Sequence, residues 1–214
     1  MSASRTGKKQ EPTPAAIGIR VHSGWGALVA ISGKAEAVEV LERRRIEIID
    51  PKVSGAAQPY HFAEKLEIRE AEKHIEKCAA MAGTLALAGV REVVSNLWDR
   101  GYSVVAATIL LSSGRPLSAL EKILLSHPTI HTAEGEFFRR AFREACETMK
   151  IVVTGIRERE LDARATAAFG KAASEVKKTI DEEGRSLGPP WTADQKAAAL
   201  AALIVLAESP DAHQ

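Results

Sequence analysis

The stretch Tyr102–Leu111, YSVVAATILL, constrains the fold more than any other. It is a continuous apolar run with β-branched side chains, broken only by small hydroxyls and bounded by Gly101 and by Ser112-Ser113-Gly114. A strand with one wet face alternates apolar and polar residues; a run without that alternation is a strand covered on both faces. Such a chain must supply helices above and below a sheet. With 214 residues and 45% hydrophobic content it has material for one domain of that kind.

The partner strands read from period two. Ile17–Gly33, IGIRVHSGWGALVAISG, is a hairpin turning at Ser23-Gly24-Trp25-Gly26. In Ala37–Ile49, Val38, Val40, Ile46 and Ile48 alternate with Glu39, Arg45 and Glu47, while the charged Glu42-Arg43-Arg44-Arg45 marks a bulge or a sheet edge. Lys150–Ile156 is the last strand. The helices read from period 3.6. Ile68, Ala71, Ile75, Cys78 and Ala82 form an apolar stripe in a segment running from Tyr60 to Arg100, with a break near Gly83 and a stop at Gly101. A short helix passes through Leu117, Leu120 and Leu124. The next starts near Thr132 as N-cap, with Glu134 and Glu136 in its first turn. Leu161–Glu183 is helical, and Thr192 with Gln195 makes a capping box for Ala193–Ala207. The expected architecture is a single α/β domain over residues 16–208. It has a mixed sheet of about five strands flanked by helices on both faces, with a disordered tail over 1–15 and a short tail over 209–214.

Several function classes are disfavoured. A net charge of +1 gives no global field toward nucleic acid or an anionic membrane. Met1–Ala16 has no apolar core of a signal peptide and Ala197–Ala207 is too short to span a bilayer, so the expectation is a cytoplasmic chain with no membrane partner. Cys78 and Cys146 fall on apolar helix faces and read as small hydrophobes rather than a disulfide. Ser112-Ser113-Gly114 lacks a nucleophile elbow. No cofactor is expected.

The order strand–strand–strand–helix–strand–helix–strand–helix resembles the ribonuclease H-like superfold. IGIRVHSGWGALVAI resembles the opening hairpin of that group, its Holliday-junction resolvase branch included. The resemblance implies a carboxylate in the first strand, in the slot held here by Arg20, and a second near the end of the fourth, where Leu110-Leu111-Ser112-Ser113 stands. Two-metal hydrolysis needs convergent carboxylates holding cations about 4 Å apart. A guanidinium in the slot argues against it. Ser54-Gly55-Ala56-Ala57-Gln58 before PYHFAEKLEIREAEKHI resembles the Gly-rich, Gln-ending loop of the middle domain of release factors, without its double glycine. That resemblance implies a ribosome- or RNA-associated role. His22-Ser23-Gly24-Trp25-Gly26 is similar to the phosphate-cradling hairpin of actin-like ATPases, a fold needing two such domains.

Arg20 and His22 are two apart and share a strand face. With Ser112, Ser113 and Arg115 after the fourth strand and Arg157 after the fifth, they mark the carboxyl ends of the strands, where open α/β sheets bind ligands. Arg20, Arg115 and Arg157 suit a phosphate or carboxylate; the alternative is that each pairs with a glutamate such as Glu64 or Glu158. His131 with Glu134 or Glu136 reads either as a helix cap with first-turn acids or as a metal-binding or acid–base pair. Trp25 and Trp191 read as packing anchors or as stacking platforms. The expected function is a non-catalytic binding protein for RNA, a ribosomal partner or a phosphorylated ligand, through Arg20, His22, Ser112, Ser113, Arg115, His131, Glu134 and Arg157. The competing expectation is a metal-dependent nuclease or other phosphoester hydrolase with a site rebuilt around His22, Glu64, His131 and Glu134. A homodimer with a structural role is the third.

Overall fold

Strand β1 (Thr13–His22) runs through the centre of the sheet, antiparallel to β2 (Trp25–Lys34) on one side and parallel to β4 (Tyr102–Leu111) on the other. β3 (Ala37–Glu47) pairs antiparallel with β2, and β5 (Val152–Arg157) pairs parallel with β4, giving the order β3-β2-β1-β4-β5. A three-strand meander, a crossover helix, and two parallel strands make the fold ribonuclease H-like. The computed structural model describes residues 11–112 and 116–210. Ser113, Arg115, the first ten residues of the N-terminal tail and the last four residues lie outside them.

The hairpin turns at Gly24, whose φ of +82° is a conformation that favours glycine. β1 begins at Thr13, inside the expected tail, because the Thr13 N–H donates to the Gly101 carbonyl at 2.8 Å and Thr13–Ala15 pair with Tyr102–Val104. Those residues carry no apolar alternation that could have announced a strand. The charged centre of β3 lies on the sheet edge, with a register shift opposite Ala30 and Ile31. Both devices blunt an edge strand.

Seven helices follow among the described residues: α1 (Pro59–Ala63), α2 (Ile68–Asp99), α3 (Leu120–Leu124), α4 (His127–Thr148), α5 (Leu161–Phe169), α6 (Ala173–Ser186) and α7 (Ala193–Glu208). The expected break near Gly83 is absent. α2 is continuous there, since the space about Gly83 is open, and the interruption falls at 64–67 instead. The expected N-cap at Thr132 is also corrected. α4 starts at His127 with Pro128 in its first turn, and the Thr132 hydroxyl donates to the Pro128 carbonyl at 3.0 Å from inside the helix. Proline is tolerated there because the first helical N–H groups have no intrahelical acceptor. Glu134 therefore sits beyond the first turn and is buried. Gly170, at φ +57°, ends α5 and divides the 161–183 segment.

Two cores flank the sheet. On one face Ile17, Ile19, Leu28 and Ile109 pack with the stripes of α2 and α4, including Ala71, Val90, Phe138 and Phe142. On the other, Ala16, Val29, Ile31 and Leu110 pack with α5, α6 and α7. α2 is long and apolar enough to cross a membrane by length and composition, but its stripe from Ala71 to Leu97 is buried against this core. α7 is buried continuously from Ala198 to Leu206, as a helix covered on all sides must be. It lies so close to β1 that a Cβ at Gly18 would overlap the Ala198 carbonyl.

Two predictions follow from this packing. Gly18→Ala drives a methyl into backbone rather than into a movable side chain. It should cost at least the ~1–3 kcal/mol of ordinary overpacking, read as a lowered urea midpoint. Cys78 and Cys146 are free and buried, and burial raises both thiols, Cys146 to about 12. At pH 8 the reactive thiolate is therefore suppressed in the folded state. A thiol reagent should label neither cysteine in native protein and both after denaturation; rapid native labelling of Cys146 would contradict this burial.

Candidate functional site

The carboxyl ends of β1 and β4 carry one cluster on each face of the sheet. On the α7 face, the start of α7 is fixed by its capping box: the Thr192 N–H donates to Gln195 Oε1 at 2.9 Å, and the Asp194 N–H to Thr192 Oγ1 at 3.4 Å. This sets Asp194 in the first turn, facing β1. Arg20 Nη1 meets Asp194 Oδ1 at 2.8 Å while Arg20 Nη2 donates to Glu158 Oε2 at 3.0 Å. His22 Nε2 stands 3.0 Å from Asp194 Oδ2. The imidazole of His22 stacks on Trp25 with ring centroids 4.2 Å apart and planes 9° apart. Arg45 covers the indole with its guanidinium carbon 3.6 Å from the ring centroid, and pairs with Glu47.

Of the other residues of the expected anion site, Ser113 and Arg115 lie outside the described residues, and Arg157 is placed apart from Arg20. Arg157 pairs with Leu111 in the β4–β5 register, so the pleat turns it to the face opposite Arg20, and its guanidinium binds Glu160 at 3.0 Å. Ser112 is exposed just past β4.

On the α4 face, the buried Glu134 carboxylate reaches from α4 to the N-terminus of α1. Its Oε1 accepts from the N–H groups of Tyr60 and His61 at 3.1 and 3.2 Å. α1 has no side-chain cap of its own at Gln58, so a residue more than seventy positions away satisfies its free first-turn donors. Glu134 Oε2 lies 2.9 Å from His61 Nδ1. His61 in turn faces His127 and His131, with ring centroids 5.1 and 4.7 Å away. Nε2 of His127 and Nε2 of His131 are 3.0 Å apart. Glu136, two residues on, points elsewhere and binds Arg139 at 3.2 Å. Among the described residues, His61, His127 and His131 are the grouping whose nitrogens converge closely enough to hold a metal ion.

The set His22, Glu64, His131 and Glu134 is thus not one constellation. His22 stands with Asp194 on the α7 face, His131 and Glu134 stand on the α4 face, and Glu64 is exposed at the end of α1. Sequence reasoning missed Asp194, His61 and His127. The i,i+4 spacing of His127 and His131 was a legible signal, hidden because a helix start near Thr132 leaves both residues outside the helix.

No family model matches the chain, and no curated protein matches it. Solved structures do. Thermus thermophilus RuvC bound to Holliday junction substrate is 11% identical, with 89% of this chain and 90% of that one covered, at a TM-score of 0.47. A second Thermus thermophilus RuvC structure is 14% identical over 89% and 92%, at 0.46. The yeast mitochondrial Holliday junction resolvase Ydc2 is 10% identical over 90% and 76%, at 0.42. Identities this low carry no residue roles across.

Glu134→Ala would leave two helix-end donors without an acceptor in a buried setting. The expected loss is ~1–3 kcal/mol in chemical denaturation, with Glu134→Gln, which keeps an acceptor oxygen, costing less.

Proposed function

We propose that the chain is a ribonuclease H-like domain that binds nucleic acid, single-stranded RNA first among candidates, without cleaving it. The observation that supports this is Arg20. In the slot where the two-metal reaction needs a carboxylate stands a guanidinium that keeps its charge at any working pH. Asp194 and Glu158, the acids nearest that slot, are both engaged by it. A divalent cation brought there would have to break two ion pairs and sit beside a fixed positive charge. The residues do not fit a two-metal centre.

The same end of the sheet offers a surface suited to bases and phosphates. Arg45 lies over Trp25, its guanidinium carbon 3.6 Å from the ring centroid, yet has a side chain 54% exposed and so open to a ligand. Bases stack on guanidinium planes irrespective of sequence, and the charge serves the backbone. The His22 end of the His22–Trp25–Arg45 stack lies 3.0 Å from Asp194. With a net charge of +1 the attraction is local, so binding should be modest and should weaken with salt at a shallow slope. A phosphorylated small ligand would use the same cations but not the stacking plane.

The test is fluorescence anisotropy with a labelled single-stranded RNA oligonucleotide at low salt, alongside cleavage assays with Mg²⁺ and Mn²⁺. Binding should be weakened roughly 5- to 150-fold by Arg45→Ala, the ~1–3 kcal/mol of one stacked base, and also weakened by Arg20→Ala. Metal-dependent cleavage lost in Asp194→Asn would overturn the proposal in favour of the hydrolase. Unchanged affinity in both arginine variants would remove the surface assigned to it.

A further inference from the structure

On the opposite face of the sheet, we infer that His61, His127 and His131 form a zinc site that ties α1 to α4, with Glu134 as its outer-shell carboxylate. The inference is independent of the RNA-binding proposal and shares no residue with it.

The ligand set has the right chemistry. Zinc is held by imidazole nitrogens at ~2.0–2.1 Å, and three protein ligands leave a fourth position for water. Each of the three histidines offers one nitrogen, and these nitrogens all lie within 4.8 Å of one another. Tetrahedral ligands at that bond length are about 3.4 Å apart by simple geometry. The 3.0 Å between the Nε2 atoms of His127 and His131 is already close to that value. Their exposed rings on adjacent turns of α4 have room to rotate by the remainder. Two imidazole nitrogens that close need either a shared proton or a cation between them.

The outer shell supplies the second, independent observation. A metal-bound histidine characteristically presents its other ring nitrogen to a carboxylate, which fixes the ring and raises its basicity. His61 Nδ1 is buried, has no hydrogen bond of good geometry, and lies 2.9 Å from Glu134 Oε2. That leaves Nε2 of His61 as the atom free to join the other two histidines. Glu134 cannot drift, because its second oxygen is held by the backbone of Tyr60 and His61. Its ion-pair contact among the described residues is with His61. Zinc is the probe; other first-row divalent ions that favour imidazole, copper above all, would compete for the same nitrogens.

The experiment uses untagged full-length protein stripped with a chelator and titrated with ZnCl₂ by calorimetry, with thermal unfolding in parallel. One Zn²⁺ per chain and a raised Tm are expected, and Co²⁺ in its place should give the visible absorption of a tetrahedral site. His127→Ala and His131→Ala, both at exposed positions, should lower affinity by more than the ~10- to 100-fold expected of Glu134→Gln. His74→Ala is the control, since His74 lies 3.6 Å from Cys78 and is not among the three converging histidines; it should bind zinc as wild type does. Retained one-to-one affinity in His127→Ala and His131→Ala, or no saturable zinc binding at all, would overturn the inference.

Discussion

The contact on which the molecule most depends is the approach of α7 to β1 at Gly18. β1 is hydrogen-bonded on both sides, to β2 and β4, so whatever sets its distance from the helix layer sets the position of the whole sheet. No side chain separates Gly18 from the Ala198 backbone. The helix that fits so closely is built of alanine and leucine, buried without interruption from Ala198 to Leu206. Close seating of this kind leaves the helix little freedom to move, because interiors pack near crystal density. The capping box at Thr192 then fixes where α7 begins, and the two constraints together deliver Asp194 to Arg20. The ion pair is a consequence of the packing rather than its cause. At partly exposed positions such pairs contribute ~0–1 kcal/mol, far less than the apolar burial that positions them.

Glu134 performs the corresponding service on the other face, by the opposite means. There the positioning group is polar and buried, and it is held by the hydrogen bonds its carboxylate accepts. Two backbone donors hold one oxygen and an imidazole stands at the other. α1 is five residues long, too short to persist alone. It exists because Pro59, Tyr60 and Ala63 are buried in the core and because α4 lends it a cap. His61 is thereby aimed at the exposed turn of α4 that carries His127 and His131.

What the sequence disclosed and what it withheld divide along the range of the interactions concerned. The hairpin, the doubly covered β4, the edge character of β3 and the capping box of α7 are written in neighbouring residues, through alternation, β-branching and hydroxyl–glutamine spacing. So is the element order, and hence the fold. The start of α4 was obscured because His127-Pro128 carries the same residues whether proline ends a helix or opens one. Thr132 resembled a cap because it precedes an apolar run; its hydroxyl instead turns back to the Pro128 carbonyl. The sites were less legible still. Arg20 and His22 were correctly seen to share a face, but their partner Asp194 lies at the far end of the chain and is brought there by α7. Arg157 was grouped with Arg20 from proximity to strand ends alone. The pleat, which assigns it to the other face, depends on a register that only the paired strands define.

The two clusters differ in how they meet charge, and that difference decides which of them suits a cation. On the α7 face every carboxylate near the sheet end already has a guanidinium: Asp194 and Glu158 share Arg20, and Glu47 has Arg45. That face can meet an anion by exchanging partners, while its guanidinium groups oppose a divalent ion. On the α4 face the buried carboxylate is faced by imidazole. Imidazole nitrogens can act as metal ligands, whereas guanidinium groups compete with a cation. The α7 face thus presents fixed positive charge paired with acids, whereas the α4 face presents three imidazoles beside one buried carboxylate.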